Sequence, residues 1–398
     1  MKRTGIILFL AAPFFSSLFA QEKVDAALNM FRANDTIVKR QVEYKDPGRA
    51  GESVLWDFGK LKPVNNRYTV LYSQTGDTDS LLAGTEHQTR YYYALQNDSL
   101  LLCGYENPTT RISYETPELL LRFPMQYSDK AEGYYQGRGI YCDKLDIEAY
   151  GSYQTAADAY GMLILPGGDT LRHVLRVKTE KLVSENILPV TDSLRIARTE
   201  VDSLQTARIA QQESIRYRLE RDSAVTRVDT YRWYAAGYRY PVFETVRTGN
   251  ARDDGKTDYF ATAFYFPPEE HTYLQRDEKN RQVRDSLLLV DKAAEEKARN
   301  GDNDTKSNRL ENGITVTYNF FPNPVESQLA LEIYISEEAN VSYGLYSITG
   351  ALVYQKRARL LPAGTHSERI DMGHCLRGEY ILQLQVNEKK YSEKILKK

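Results

Sequence analysis

The chain has 398 residues, and its 52 basic and 54 acidic side chains leave a net charge of −2. A balance that close gives no electrostatic case for nucleic acid or an anionic membrane surface as a partner. Three cysteines (Cys103, Cys142 and Cys375) are too few for a disulfide scaffold, and no CxxC or Cys/His cluster at metal-ligand spacing occurs. Cys103 and Cys142 lie in strand-like segments of one region and could pair in an oxidising compartment; three unpaired thiols is the other reading.

In chain order, the amino terminus reads as a secretory signal over residues 1–20. Lys2-Arg3 is a positive start, Ile6 to Phe15 is apolar, and Leu18-Phe19-Ala20 is a small-residue cleavage site before Gln21. The apolar run falls well short of the ~20 residues that span a bilayer, and no later segment approaches that length, so no transmembrane segment is expected in the mature chain.

Residues 21–276 read as a mainly β domain. Tyrosine, a strong strand former, occurs 30 times against 2 tryptophans. Strand-like runs include 53–58, 67–72, 89–95 and 99–103, the last two flanking the turn Gln96-Asn97-Asp98. Residues 161–165 and 171–177 flank Pro166-Gly167-Gly168-Asp169 as a second hairpin. Closely spaced strands without intervening helices predict an antiparallel β-sandwich.

Residues 192–229 contain no Gly or Pro and are rich in Arg, Glu, Gln, Ala and Leu, which predicts a long helical insertion of ~55 Å if continuous. Strands resume at 230–234, 240–246 and 258–266 and complete the sandwich. Residues 277–312 read as a charged linker with a helix from Asp277 to Arg299.

The last segment, 313–398, carries seven short strand patterns with turns at Gly350, Gly364 and Gly378, as in a small immunoglobulin-like sandwich. Its motifs are Phe321-Pro322-Asn323-Pro324-Val325, the run Leu345 to Gly350, Leu376-Arg377-Gly378-Glu379-Tyr380 and the basic end Lys394 to Lys398. The segment resembles the C-terminal sorting domain of type IX secretion cargo in Bacteroidetes, departing from it at Met372-Gly373-His374-Cys375. That resemblance implies a secreted or cell-surface protein with the type IX machinery as partner. It also assigns sorting roles to Pro322, Asn323, Pro324, Gly350, Gly378 and Tyr380. Trp56-Asp57-Phe58, Phe123-Pro124, the run Ala159 to Pro166 and Val174 to Val177 further resemble an uncharacterised secreted domain of the same phylum.

No chemistry stands out. The histidines 87, 173, 271, 366 and 374 form no HExxH pair, and no GxSxG, GxGxxG or Walker spacing is present. The expectation is a non-enzymatic binding or adhesion module with no cofactor and no metal. Tyr231, Trp233 and Tyr234 are the candidate ligand-surface aromatics, which would favour a carbohydrate-binding or carbohydrate-degrading accessory protein; a periplasmic structural protein with a vestigial tail is the third reading. Asp followed by Ser or Thr and an aliphatic residue recurs eight times. It resembles a Bacteroidetes O-glycosylation signal, with Thr36, Ser80, Ser99, Thr170, Ser193, Ser203, Ser223 and Ser286 as acceptors.

Overall fold

A computed structural model describes residues 23–76, 81–188, 204–253, 258–267, 270–299, 314, 316–347, 350–387 and 389–398. The signal segment 1–20, the start of the helical insertion and most of the linker lie outside these residues.

The chain begins with β1 (Lys23–Val24) and a single helical turn, α1 (Ala26–Asn29), capped by the Asp25 side chain. There follow β2 (Thr36–Val42), β3 (Gly51–Asp57), β4 (Pro63–Gln74), β5 (Leu81–Glu86), β6 (Thr89–Gln96), β7 (Ser99–Glu106), β8 (Thr110–Arg122), β9 (Met125–Gln126), β10 (Lys130–Tyr141), β11 (Leu145–Ile164) and β12 (Thr170–Leu188). After α2 (Leu204–Arg221) come β13 (Thr226–Ala235), β14 (Phe243–Asn250), β15 (Asp258–Tyr265), a 3-10 turn (Thr272–Arg276) and α3 (Glu278–Arg299). Tight turns set the hairpin registers: His87 and Gln88, like Asn97 and Asp98, take the left-handed backbone that a two-residue hairpin needs.

These strands do not make a sandwich. Strands β2, β4 to β8 and β10 to β15 each pair antiparallel with the next, and β15 pairs back onto β2, which closes a ring of twelve. A sandwich needs two apolar inner faces. Here the inward positions of several strands carry ion pairs and tyrosines around a hollow, an interior that a closed ring tolerates. Strand β3 leaves the ring and joins the end of β11 in parallel, lying outside the wall. There Trp56 and Phe58 cover Trp233, which packs edge-on against both rings.

The long helical insertion also fails. Helix α2 ends at Arg221, where Asp222 turns the chain by accepting a hydrogen bond from the Ala224 amide at 2.8 Å. Val225 and Thr226 then lead into β13, as β-branched residues favour. The helix lies against the outer wall: Ile215 and Leu219 pack on Tyr150, and Arg218 pairs with Glu148 at 2.5 Å.

Outward positions on this wall include Lys130, Glu132, Arg138, Lys178, Glu180, Arg227 and Arg247. A lipid-facing barrel carries an apolar band at such positions. Charges spread along the girth instead indicate a wall facing water. Among the described residues no helix is long and apolar enough to cross a membrane.

The carboxyl-terminal strands are β16 (Val316–Phe321), β17 (Gln328–Ile335), β18 (Ala339–Ser347), β19 (Leu352–Leu361), β20 (Gly364–Asp371), β21 (Gly378–Val386) and β22 (Lys389–Lys397). They form a three-stranded sheet, β16-β17-β20, and a four-stranded sheet, β19-β18-β21-β22. Alternating apolar residues of both sheets, Leu331, Ile333, Leu345, Leu382 and Ile395 among them, share one core.

Candidate functional site: the barrel lumen and its two covers

Inside the ring lies a cavity of about 420 Å³. Its wall is partly apolar, with Ile37, Val70, Leu100, Leu102 and Phe264, and partly aromatic, with Tyr72, Tyr91, Tyr93 and Tyr234. Charged groups enter it in pairs. The Lys39 ammonium lies 2.6 Å from Glu86 and 3.7 Å from Glu244, and Arg232 reaches Glu244 at 2.6 Å. Deeper along the wall Lys181 meets Glu118 at 2.6 Å. Burial alone would neutralise Glu244, but Arg232 and Lys39 outweigh it and hold the carboxyl below its ordinary range. Burial likewise opposes the charge on Lys39, and Glu86 with Glu244 more than restores it. Burial pushes the Tyr234 hydroxyl up to about 12, so it is a neutral donor at physiological pH.

One mouth is floored by the amino-terminal segment. The ring of Phe31 sits between Tyr72 and Tyr93, with centroids 4.8 and 5.1 Å away. Beneath it Arg32 pairs with Asp35 at 3.0 Å, and Tyr240 donates to the same carboxylate at 3.0 Å. Arg239 pairs with Asp277 at 2.6 Å and donates to the Met30 carbonyl at 2.8 Å, which ties the first turn of α3 into the floor.

The opposite mouth is covered by the carboxyl-terminal domain, whose Asn323, Lys394 and Leu396 line the cavity. Its contacts with the barrel are mostly polar. Lys389 pairs with Glu43 at 2.6 Å, Gln88 donates to the Asn323 carbonyl at 2.9 Å, Tyr141 donates to the Arg377 carbonyl at 3.0 Å, and Asn107 donates to Glu379 at 2.5 Å. Val64 at the start of β4 enters the domain's own core.

The aromatic residues singled out from the sequence divide between two faces of β13. Tyr234 and Arg232 point into the lumen. Trp233 points outward, yet β3 leaves none of it exposed, so it has no face free to stack on a sugar. Tyr231 lies over the Arg176 guanidinium at 5.0 Å, beside Trp56 and Trp233. Cys103, Cys142 and Cys375 are free thiols. No group of three or more metal-ligating side chains occurs among the described residues.

The sorting-motif residues sit as follows. The Asn323 side chain donates to the Lys394 carbonyl at 3.0 Å and accepts from the Leu396 amide at 2.8 Å, which fastens the loop holding Pro322 and Pro324 to β22. The Tyr380 hydroxyl donates to the Leu376 carbonyl at 2.8 Å. Gly350 and Gly378 both have positive φ and face tyrosines of the barrel, Tyr259 and Tyr141 respectively.

Of the acceptor positions, Thr170, Ser223 and Ser286 are exposed, Thr36 and Ser99 are half-buried, and Ser80, Ser193 and Ser203 lie outside the described residues. The lumen-lining Lys39, Glu86 and Glu244 were not found from the sequence, where no local pattern brings charges of separate strands together.

Residues 319–398 match the family described as the secretion system C-terminal sorting domain. No match to a curated protein was found. Among solved structures, dimeric latent PorU from Porphyromonas gingivalis aligns with 92% of this chain and 34% of its own length, at 9% identity and a TM-score of 0.20. This chain thus spans about a third of that one, and so low a score carries no argument about the barrel. The match covers the carboxyl-terminal domain and supports a type IX secretion substrate, with release or the cell surface as its address.

Proposed function

We propose that this is an exported, non-enzymatic binding protein whose ligand site is the barrel lumen. The observation that carries the reading is the hollow itself: about 420 Å³ enclosed by tyrosine rings, aliphatic side chains and paired charges. That volume lies in the range of small-molecule sites, and a mainly apolar lining with a few convergent polar groups is their usual composition. Arg232 and Tyr93 keep surface open to the cavity although the barrel encloses them, so polar groups and rings remain available to a guest. A small amphipathic molecule, with a ring or chain for the tyrosines and a polar end for the Arg232–Glu244 region, fits this lining. The absence of catalytic sequence motifs supports binding over turnover.

Native mass spectrometry of the protein recovered from cells that make it tests the proposal. The expected result is a one-to-one mass excess that is released on denaturation and lost in Thr230→Trp, which fills the lumen wall. Protein found only at its covalent mass would count against the lumen as a ligand site.

A further inference from the structure

Hydrogen-bond donors are left over on the lumen wall. The Arg232 Nε donates to Glu244 at 2.6 Å, but its two Nη groups have no hydrogen-bond or ion-pair partner among the described residues. The same holds for the hydroxyls of Tyr72, Tyr93 and Tyr234, all of which line the cavity. Tyr72 and Tyr234 are buried, and buried polar groups are ordinarily hydrogen-bonded. Burial also raises the pKa of all three hydroxyls, so each keeps its proton.

These groups converge. Strand β6, which carries Tyr93, and β13, which carries Arg232 and Tyr234, lie six strands apart in either direction around the ring, so they face one another across the hollow. The Tyr72 ring lies 6.4 Å from that of Tyr93. Tyr93 and Tyr234 also pack into one apolar cluster with Leu100 and Leu121, which places aliphatic surface beside the donors. The carboxylates of the wall, by contrast, are already matched: Glu86 and Glu244 by Lys39 and Arg232, and Glu118 by Lys181. A guanidinium can only donate, so the partner it lacks is an acceptor. Its planar fork suits the two oxygens of a carboxylate.

We propose that the guest of the lumen is a small organic carboxylate, its head group on the free Nη groups of Arg232 and the hydroxyls of Tyr93 and Tyr234, and its apolar body against Leu100 and Leu121. The proposal deepens the lumen reading and rests on it. Glu244 then serves as a positioning residue: by taking the Nε, it turns the open end of the guanidinium toward the guest.

The test uses the full chain, refolded from urea to free it of any resident guest, at neutral pH and matched ionic strength. The probes are 3-phenylpropionate and hexanoate, one with a ring and one with a chain, and the controls are 3-phenylpropan-1-ol and hexan-1-ol. At least one acid is expected to raise the urea midpoint saturably, as a ligand of the folded state does, while its alcohol leaves it unchanged. Arg232→Lys keeps the charge beside Glu244 but loses the fork, and should weaken the apparent affinity about tenfold or more, as loss of a charge-assisted hydrogen bond does. No response to either acid, equal responses to acid and alcohol, or an affinity unchanged in Arg232→Lys would overturn the proposal. Should Arg232→Lys not fold, Tyr93→Phe/Tyr234→Phe, which leaves every ion pair in place, decides the same question: a weakened response to the acid supports the site, and an unchanged one overturns it. A chain that carries a lumen guest by native mass but responds to neither acid defeats this inference alone and leaves the lumen reading standing.

Discussion

His271 lies at the start of the 3-10 turn, 3% exposed, and neither ring nitrogen has a hydrogen-bond partner. Burial pushes its pKa down to about 4, so the folded chain requires the neutral imidazole. The unfolded chain takes up a proton near pH 6.5. Stability from this residue is therefore complete above about pH 6.5 and is lost as pH falls toward 4, in total about 3 kcal/mol. His271→Phe keeps the ring packing against Tyr273 and should flatten the fall in Tm between pH 6.5 and 4. Superimposable pH profiles for wild type and variant would show that the floor is not acid-sensitive through this residue. Such a group was visible in the sequence only as Glu270-His271 after two prolines, which reads as an exposed loop. Yet its ring is buried and packs against that of Tyr273 at 5.2 Å, which no local pattern reveals.

Helix α2 shows how little a single element needs to be held in place. Its polar sequence has no continuous apolar stripe, yet Ile215 and Leu219, one turn apart, are buried against Tyr150 and Val225. Ile215→Ala should cost about 2–5 kcal/mol, as emptying a buried aliphatic site does. Urea unfolding would measure it, and a loss below about 1 kcal/mol would mean that the helix contributes little to the wall. The same element marks the limits of legibility. Helical composition ran on past Arg221 because residues 192–229 hold no Gly or Pro, and what stops the helix is the Asp222 side chain with its Ser184 and Tyr150 partners. Strands were easier: both hairpins read from the sequence, residues 89–103 and 161–177, exist as β6–β7 and β11–β12. Closure was not legible, because alternation has period two in sandwich and barrel alike. Lys39, Glu86, Arg232 and Glu244 face inward, and only a ring with a hollow centre gives such residues a place there.

At the scale of the whole molecule, the two domains meet closely where Gly378 faces Tyr141. A methyl group on Gly378 would lie 1.9 Å from the Tyr141 hydroxyl, whereas one on Gly364 would meet nothing within 4 Å. Both glycines have left-handed φ, +148° and +130°, so alanine at either carries a similar backbone penalty of about 1–3 kcal/mol. Gly378→Ala alone should also lift the carboxyl-terminal domain from the barrel and enlarge the radius of gyration in small-angle scattering. Equal radii for the two variants would mean that Tyr141 swings aside without cost. Near that interface lies the last closure of the wall. Seventeen residue pairs join β11 to β12, but three join β15 to β2: Ala263 to Val42, Phe264 to Gln41 and Tyr265 to Arg40. A side-chain bond between Gln41 and Thr262, at 3.1 Å, and the Arg40–Glu270 ion pair reinforce the join. A cylinder sealed over so short a length is mechanically a rolled sheet with a nearly free pair of edges. Its zipper runs beside the domain through which the export machinery takes hold.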